Sequence, residues 1–524
     1  MLLHLAYTIK IWYNTNILIL NKGWMKMLSK EWASLKNGSD IRGVASEGIP
    51  GAEINLTDEI VTAIARGFVT FLTVKYDAKP EDLTISIGHD SRISASRIKN
   101  ACIKAITECG ANICDFGLCT TPAMFMSTVD EEMNIFASIM LTASHLPFNR
   151  NGMKFFTREG GLEGSDITEI LTYAQDRNYP VAEKVGNISN YEYLSRYAKH
   201  IAELIQKETG LDMPFENMKI AVDAGNGAGG FYAEKVLKAL GADVSGSCFL
   251  EPDGTFPNHI PNPEDKEAMQ AISKAVLTSN SDLGVIFDTD VDRAAIVDEK
   301  GREINKNKLI ALISAVLLEE KKGTIVTDSV TSTGLAEFIS KDLGGVHHRF
   351  KRGYKNVINE AKRLNAEGSY SPLAIETSGH AALLENYFLD DGAYLVTKLL
   401  IKAVKMRGEG RKLTELIETL KEPKLAAGHR LNLTGEDFKT DGQKILADLE
   451  NTVKNTDGMS LEEPNYEGVR VNIGDGWFLL RLSLHDPLMP LDIQCDTEEC
   501  LNKIYGFLKE FLSDYDFIDI TPLP

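Results

Sequence analysis

The seven cysteines of this 524-residue chain, at 102, 109, 114, 119, 248, 495 and 500, contain no Cys-x-x-Cys pair. That spacing argues against structural zinc and thioredoxin-like chemistry, and the odd count suits a reducing compartment, the cytoplasm. Basic residues are scarce: 56 Lys and Arg stand against 75 Asp and Glu, a net charge of −19. Sequence-independent nucleic-acid binding, which needs clustered cations against phosphates, is not expected. Long apolar runs are also lacking. The opening "MLLHLAYTIKIWYNTNILIL" is interrupted by Lys10, Asn14 and Asn16 and has neither a basic start nor a small-residue cleavage site. It reads poorly as a signal peptide or a membrane span, so no membrane association is expected. Residues 1–36 are expected to be an extension, with natural translation starting near Met25 or Met27. Three enzyme signatures are missing as well: the Gly-x-Ser-x-Gly elbow, the Gly-Lys-Ser/Thr phosphate loop and the His-Glu-x-x-His zinc helix.

What is present is an ordinary globular composition, 43% hydrophobic and 25% charged, in a chain long enough for two to four domains. Short apolar runs alternate with helical stretches. "LTISIGHD" (83–90), "ANICDFG" (111–117) and "IFASIML" (135–141) read as strands, and 92–109 as a helix with Ile98, Cys102 and Ile106 on one face. A second α/β unit runs from "MKIAVDAGNGAGG" through helix 231–240 to "DLGVIF" (282–287). A third contains helix 306–320, "GTIVTDS", helix 333–342 and "SPLAIETSGH". After helix 413–420 the texture changes, with a β-hairpin at 468–484 and a closing helix at 497–513. The expected fold is α/β: three similar domains with mixed or parallel sheets, 37–185, 186–301 and 302–420, plus a smaller α+β domain, 421–524.

Five stretches carry chemistry, each beside an ordinary structural reading. "DTDVDR" (288–293) follows an apolar strand; in extended chain Asp288, Asp290 and Asp292 face one way, and three converging carboxylates need a cation, Mg²⁺ by hardness. The plain alternative is a solvated acidic turn; a calcium EF-hand fails for want of its Gly and distal Glu. "GNGAGG" (225–230) matches the dinucleotide fingerprint, with Glu251 about twenty residues on. Glu251 falls in a turn, however, so a tight strand-to-helix connection is preferred to NAD binding. "ETSGH" (376–380) can hydrogen-bond sugar hydroxyls or be a polar turn. "RLSLHDP" (481–487) offers Arg481 and Ser483 for phosphate, or is a surface turn. "LTASHLP" (141–147) is an ordinary loop, a hydrolase nucleophile or a phosphate-carrying serine. In an extended segment Ser144 and His145 point apart, which weakens the hydrolase reading. Basic residues in "SDIRG", "GHDSR" and "FKRGYK" read singly as solvated charges.

In this order, these motifs resemble the α-D-phosphohexomutase family of phosphomannomutases, phosphoglucomutases and phosphoglucosamine mutases, over roughly residues 37–513. "TASHLPFNRNGMK" looks like the family's phosphoserine loop, "DTDVDR" its metal loop, "ETSGH" its sugar loop and "RLSLHDP" its phosphate loop. "GNGAGG" recurs in that family's second domain. The resemblance implies four domains around a central cleft and a cytoplasmic monomer or dimer acting on sugar phosphates. Ser144 would carry the phosphoryl group, with Mg²⁺ on Asp288, Asp290, Asp292 and a phosphoserine oxygen. Lys154 would be the general acid/base, its pKa lowered by cations such as Arg42, while Arg42, His145 and Arg293 flank the transfer. Glu376 and Ser378 would hold sugar hydroxyls, with His380 and Lys351 nearby; Arg481, Ser483 and His485 would grip the non-reacting phosphate. A hexose 1,6-bisphosphate would be intermediate and activator, linking hexose 1-phosphate to hexose 6-phosphate. Departures occur at Leu146, at Ile375 and most at Leu484-His485-Asp486, where His485 as imidazolium would replace a hydroxyl donor. The competing classes are an NAD-linked oxidoreductase and a non-catalytic sugar-phosphate-binding protein.

Overall fold

The computed structural model describes residues 27–483 and 486–524. Residues 1–26 of the expected extension, and Leu484 and His485, lie outside the described residues. The chain divides into two compact units, one running to Cys119 and from Met124 to Tyr193, the other comprising 120–123 and 194–524.

In the first unit the expected extension is cut short. Ser29 caps a helix at Lys30–Ser34, Leu35 is buried, and Lys36–Asn37 pairs with Ile41 and Asp40, so residues from about 29 onward belong to the fold. Thr57 caps the long helix Asp58–Tyr76, whose Ile64, Phe68, Phe71 and Leu72 enter the core with Ile167 and Ile170 of helix Gly164–Asp176. The sheet runs in the order Lys36–Asn37, Asp40–Val44, Arg150–Thr157, Ala137–Leu141, Thr84–His89, Asn112–Leu118, Ile188–Asn190. Thr84–His89 lies parallel to both neighbours and is buried at four successive positions, as a strand covered on both faces requires. Ala137–Leu141 then turns through 142–149 into Arg150–Thr157, its antiparallel partner.

The second unit repeats this plan. Ile220–Asp223 is parallel to Leu283–Phe287, which turns into antiparallel Ala294–Asp298. Thr324–Thr327 is parallel to Val346–Arg349 and Leu373–Ile375, and the last turns into antiparallel Ala381–Leu383. The sheets are thus mixed, and the returning strands were not read from sequence. The readings of helix at 231–240 and 333–342 resolve into pieces, with wide π-type turns at Tyr232–Leu237 and Phe338–Asp342. The stretch 413–420 forms only a 3₁₀ turn, Leu413–Ile417.

The C-terminal part is a five-stranded antiparallel sheet, in the order Leu425–Asn432, Leu488–Cys495, Gly476–Leu480, Val469–Ile473, Met459–Leu461. In Leu488–Cys495 the residues Met489, Leu491, Ile493 and Cys495 face the core while their neighbours are half-buried, the period of two expected for one covered face. Helices Phe438–Lys454 and Glu498–Leu512 supply that cover. Arg470 lies over the Trp477 ring at 3.5 Å and donates to the Ser329 carbonyl at 3.0 Å. Among the described residues no helix is long and apolar enough to cross a membrane.

Candidate active site

Four of the five stretches singled out from the sequence, all but "GNGAGG", occupy the same kind of place: the turn at which one strand folds back on an antiparallel neighbour. "TASHLPFN" joins Ala137–Leu141 to Arg150–Thr157, and "DTDVDR" joins Leu283–Phe287 to Ala294–Asp298. "ETSGH" joins Leu373–Ile375 to Ala381–Leu383, and "RLSLHDP" joins Gly476–Leu480 to Leu488–Cys495. Loops on a rigid sheet end are where reactive groups are held in place without disturbing a core.

In the first unit, Ser144 is buried and its backbone is left-handed, at φ +51°. Its Oγ lies 3.4 Å from His145 Nδ1, so the sequence-based expectation that the two point apart fails because the segment is a turn rather than extended. The Ser144 N–H donates to Thr142 Oγ1 at 2.9 Å. Arg42 donates to the Ala143 carbonyl at 3.1 Å and to Asp40 at 2.9 Å. Arg42 pairs with Gly152, and Lys154 is two residues further along the same strand, so both side chains start from one sheet face. A Cβ at Gly152 would fall 2.2 Å from the Ile41 carbonyl and 3.1 Å from the Arg42 stem, so glycine is what lets this strand pass. Lys154 is buried. Arg92 of "GHDSR" is no solvated charge: it is enclosed, with its guanidinium on the backbone of the serine loop.

In the second unit, Asp288, Asp290 and Asp292 are buried with one oxygen of each within 4.8 Å of the others. They converge by a hairpin turn in which Val291 takes φ +68°, not by the alternation of an extended strand. Asp288 accepts from Arg293 Nε at 3.2 Å and Nη2 at 3.1 Å, and Arg293 also reaches Asn262 at 3.1 Å. Thr121, in the segment 120–123 that clusters with this unit, donates its backbone N–H to the Asp290 carbonyl at 2.9 Å and its hydroxyl to the carboxylate. A buried set of three converging hard carboxylate oxygens fits a small divalent cation such as Mg²⁺. The glycine turn 225–230 braces this hairpin. A Cβ on Gly227 would sit 2.6 Å from the Thr289 carbonyl, so that residue serves close packing here.

The "ETSGH" turn surrounds a buried pair of carboxylates, Glu376 and Asp328. Glu376 accepts from the Gly353 N–H at 2.6 Å. Burial and the neighbouring Asp328 push its carboxyl up to about 7, against the pull of His380 and Arg352. Ser378 Oγ is buried with no hydrogen-bond partner among the described residues. Burial opposes protonation of His380, but Asp390 and Asp292 outweigh it and raise the imidazole to about 9. Its ring stacks on Tyr354, and its backbone bridges to Arg293, joining this turn to the acidic one. Lys351 is exposed and lies over Phe350, outside this cluster. The next residue, Arg352, is the one turned inward, 3.6 Å from Asp328. Asp328 in turn accepts from Thr377 Oγ1 at 2.7 Å. Neither Arg352 nor Asp328 was expected in this cluster; the only signal was their place within "FKRGYK", read as solvated charges, and near the end of "GTIVTDS".

Arg481 is held between two carboxylates, Asp492 at 2.9 Å and Glu467 at 3.6 Å. Ser483 Oγ accepts from the Asp486 N–H at 3.1 Å, and Asp486 itself is exposed. The reading of His485 falls outside the described residues.

Family models for the phosphoglucomutase/phosphomannomutase α/β/α domains I, II and III match residues 33–179, 195–301 and 305–423. The chain is 28% identical over 471 residues to a phosphoglucomutase of Neisseria gonorrhoeae, covering 90% of this chain and 95% of that one. It is 28% identical over 487 residues to a phosphomannomutase/phosphoglucomutase of Pseudomonas aeruginosa, covering 92% and 96%. A crystal structure of a phosphoglucomutase/phosphomannomutase family protein from Burkholderia thailandensis superposes with a TM-score of 0.75 at 24% identity, covering 93% and 98%, a likeness of fold.

Proposed function

The chain belongs to the phosphoglucomutase/phosphomannomutase family and is a phosphohexomutase, an isomerase that moves a phosphoryl group within a sugar phosphate; from that premise we propose that Ser144 is the residue that carries the group. The observation that supports this most is the Ser144 turn, where a left-handed backbone sets the hydroxyl beside an imidazole. On transfer, the bond from phosphorus to Ser144 Oγ breaks as one to a free sugar hydroxyl forms. Lys154, as the free amine, accepts the proton of that hydroxyl, and His145 Nδ1 supplies one to the departing serine oxygen. The resulting hexose 1,6-bisphosphate returns its other phosphoryl group to Ser144, with the proton movements reversed. Asp288, Asp290 and Asp292 would hold Mg²⁺, which when bound offsets the negative charge of the phosphoryl group. Glu376 and Ser378 accept and donate to sugar hydroxyls, and Arg481 with Ser483 takes the phosphate that does not react.

The names of the relatives favour glucose and mannose phosphates over a phosphoglucosamine substrate. Phosphorus NMR of the purified protein with Mg²⁺, a hexose 1,6-bisphosphate and a panel of hexose 1-phosphates tests the reading. Conversion to 6-phosphates with a serine phosphate signal supports it. A non-catalytic sugar-phosphate binder would show shifted substrate resonances and no conversion.

A further inference from the structure

Arg92 is a large charged side chain with 0% side-chain exposure, and so is its partner Asp90. A guanidinium has five N–H donors, and here each has an acceptor. Nε donates to Asp90 Oδ2 at 3.2 Å. Nη1 donates to the carbonyls of Pro147 at 2.8 Å and Arg150 at 2.9 Å. Nη2 donates to the carbonyl of Leu146 at 2.8 Å and to that of Ser144 itself. With every donor engaged and its charge met by Asp90, this arginine is not arranged to receive a substrate anion. It is arranged to hold a loop.

We infer that Arg92 is the positioning residue of the serine loop, its guanidinium gathering the carbonyls of residues 144, 146, 147 and 150 and thereby fixing the left-handed backbone from which the Ser144 hydroxyl is phosphorylated. The inference rests on the assignment of Ser144 as phosphoryl carrier. A left-handed conformation is costly for any residue with a Cβ, and Ser144 adopts it with its own carbonyl on the guanidinium. Carbonyl oxygens carry partial negative charge, and each one held on Arg92 is one that does not face the phosphoryl oxygens. Arg42 does the same for the adjoining Ala143 carbonyl. Lysine cannot substitute, because three donors at one point do not reach acceptors spread across a fork.

The test uses the full chain with Arg92→Lys and, in parallel, Asp90→Asn, which keeps the guanidinium but releases the carboxylate that orients it. Folding is checked by circular dichroism, and kinetics are run well below each melting midpoint. Three quantities are read: the rate at which hexose 1,6-bisphosphate phosphorylates Ser144, by intact mass, and kcat and KM for hexose 1-phosphate. Both the phosphorylation rate and kcat are expected to fall together, about 100-fold for Arg92→Lys and less for Asp90→Asn, with KM within about twofold of wild type. Folded variants that keep wild-type phosphorylation and kcat would reduce Arg92 to a stabilising residue and overturn the inference. A raised KM with unchanged kcat would overturn it too, by making Arg92 a ligand contact. If Arg92→Lys does not fold, Asp90→Asn decides. If wild-type protein itself takes up no phosphate, the Ser144 assignment has failed, and this inference falls with it.

Discussion

The Glu467 carboxylate stands 3.6 Å from the Arg481 guanidinium and also accepts from Ser329 Oγ at 2.5 Å and from the Arg352 N–H at 3.1 Å. The arginine proposed to grip a substrate phosphate is therefore already beside an anion of the protein's own. Glu467→Gln keeps an acceptor for Ser329 and Arg352 but removes one of the two carboxylate charges beside Arg481, Asp492 remaining at 2.9 Å. KM for hexose 1-phosphate should fall about three- to tenfold, with kcat little changed. An unchanged or higher KM in steady-state assays would show that Glu467 does not compete with phosphate.

Ser144→Ala should abolish turnover and the labile phosphate seen by intact mass. The melting midpoint should stay within about 2 °C, because the substitution keeps the Cβ and takes only a hydroxyl from a turn. Residual wild-type turnover would rule out the covalent route.

Asp290→Ala should lower kcat about a thousandfold, on the order of 4 kcal/mol of transition-state stabilisation. Chelation of wild type with EDTA should do the same and be reversed by Mg²⁺. Full activity in excess EDTA would leave the three aspartates without a catalytic metal.

Burial and the neighbouring Asp328 push the Glu376 carboxyl up to about 7, so the ionised acceptor form gains as pH rises through that value. Sugar hydroxyls donate best to the ionised form, so KM should fall as pH rises from 6 to 8. Phosphate ionisation changes over the same range, which makes Glu376→Gln the internal control. Its KM should be higher and its pH profile flatter than wild type, and parallel profiles would dissociate Glu376 from the sugar.

The parallel strands were legible because strands buried on both faces are written as near-continuous apolar runs, as at Val285–Phe287. The returning strands, such as Ala294–Asp298, were not, since so short an apolar run fits a strand and a buried helical turn equally well. The π-type turns escape because one extra residue within two helical turns barely alters the apolar spacing. The acidic trio could be named because its members are two apart in sequence, yet the reason given, an extended strand, was wrong. Arg92 and Arg352 illustrate the limit. Whether a charged side chain is enclosed depends on segments distant in sequence, and Lys351 and Arg352 are indistinguishable until Asp328, from another strand end, selects one.

Arg470, seated on the Trp477 ring while bonded to the Ser329 carbonyl, couples an indole to the contact between the C-terminal sheet and the turn after strand Thr324–Thr327. The four tryptophans stand at 12, 24, 32 and 477, so only one belongs to that sheet. A cation against the face of an indole alters the energy of its excited state. Drawing the sheet away from Ser329 would also lift that indole off Val330, wet it and shift the colour of the emitted light. The protein thus has a native fluorescent gauge of its C-terminal contact, readable in stopped flow without any attached dye.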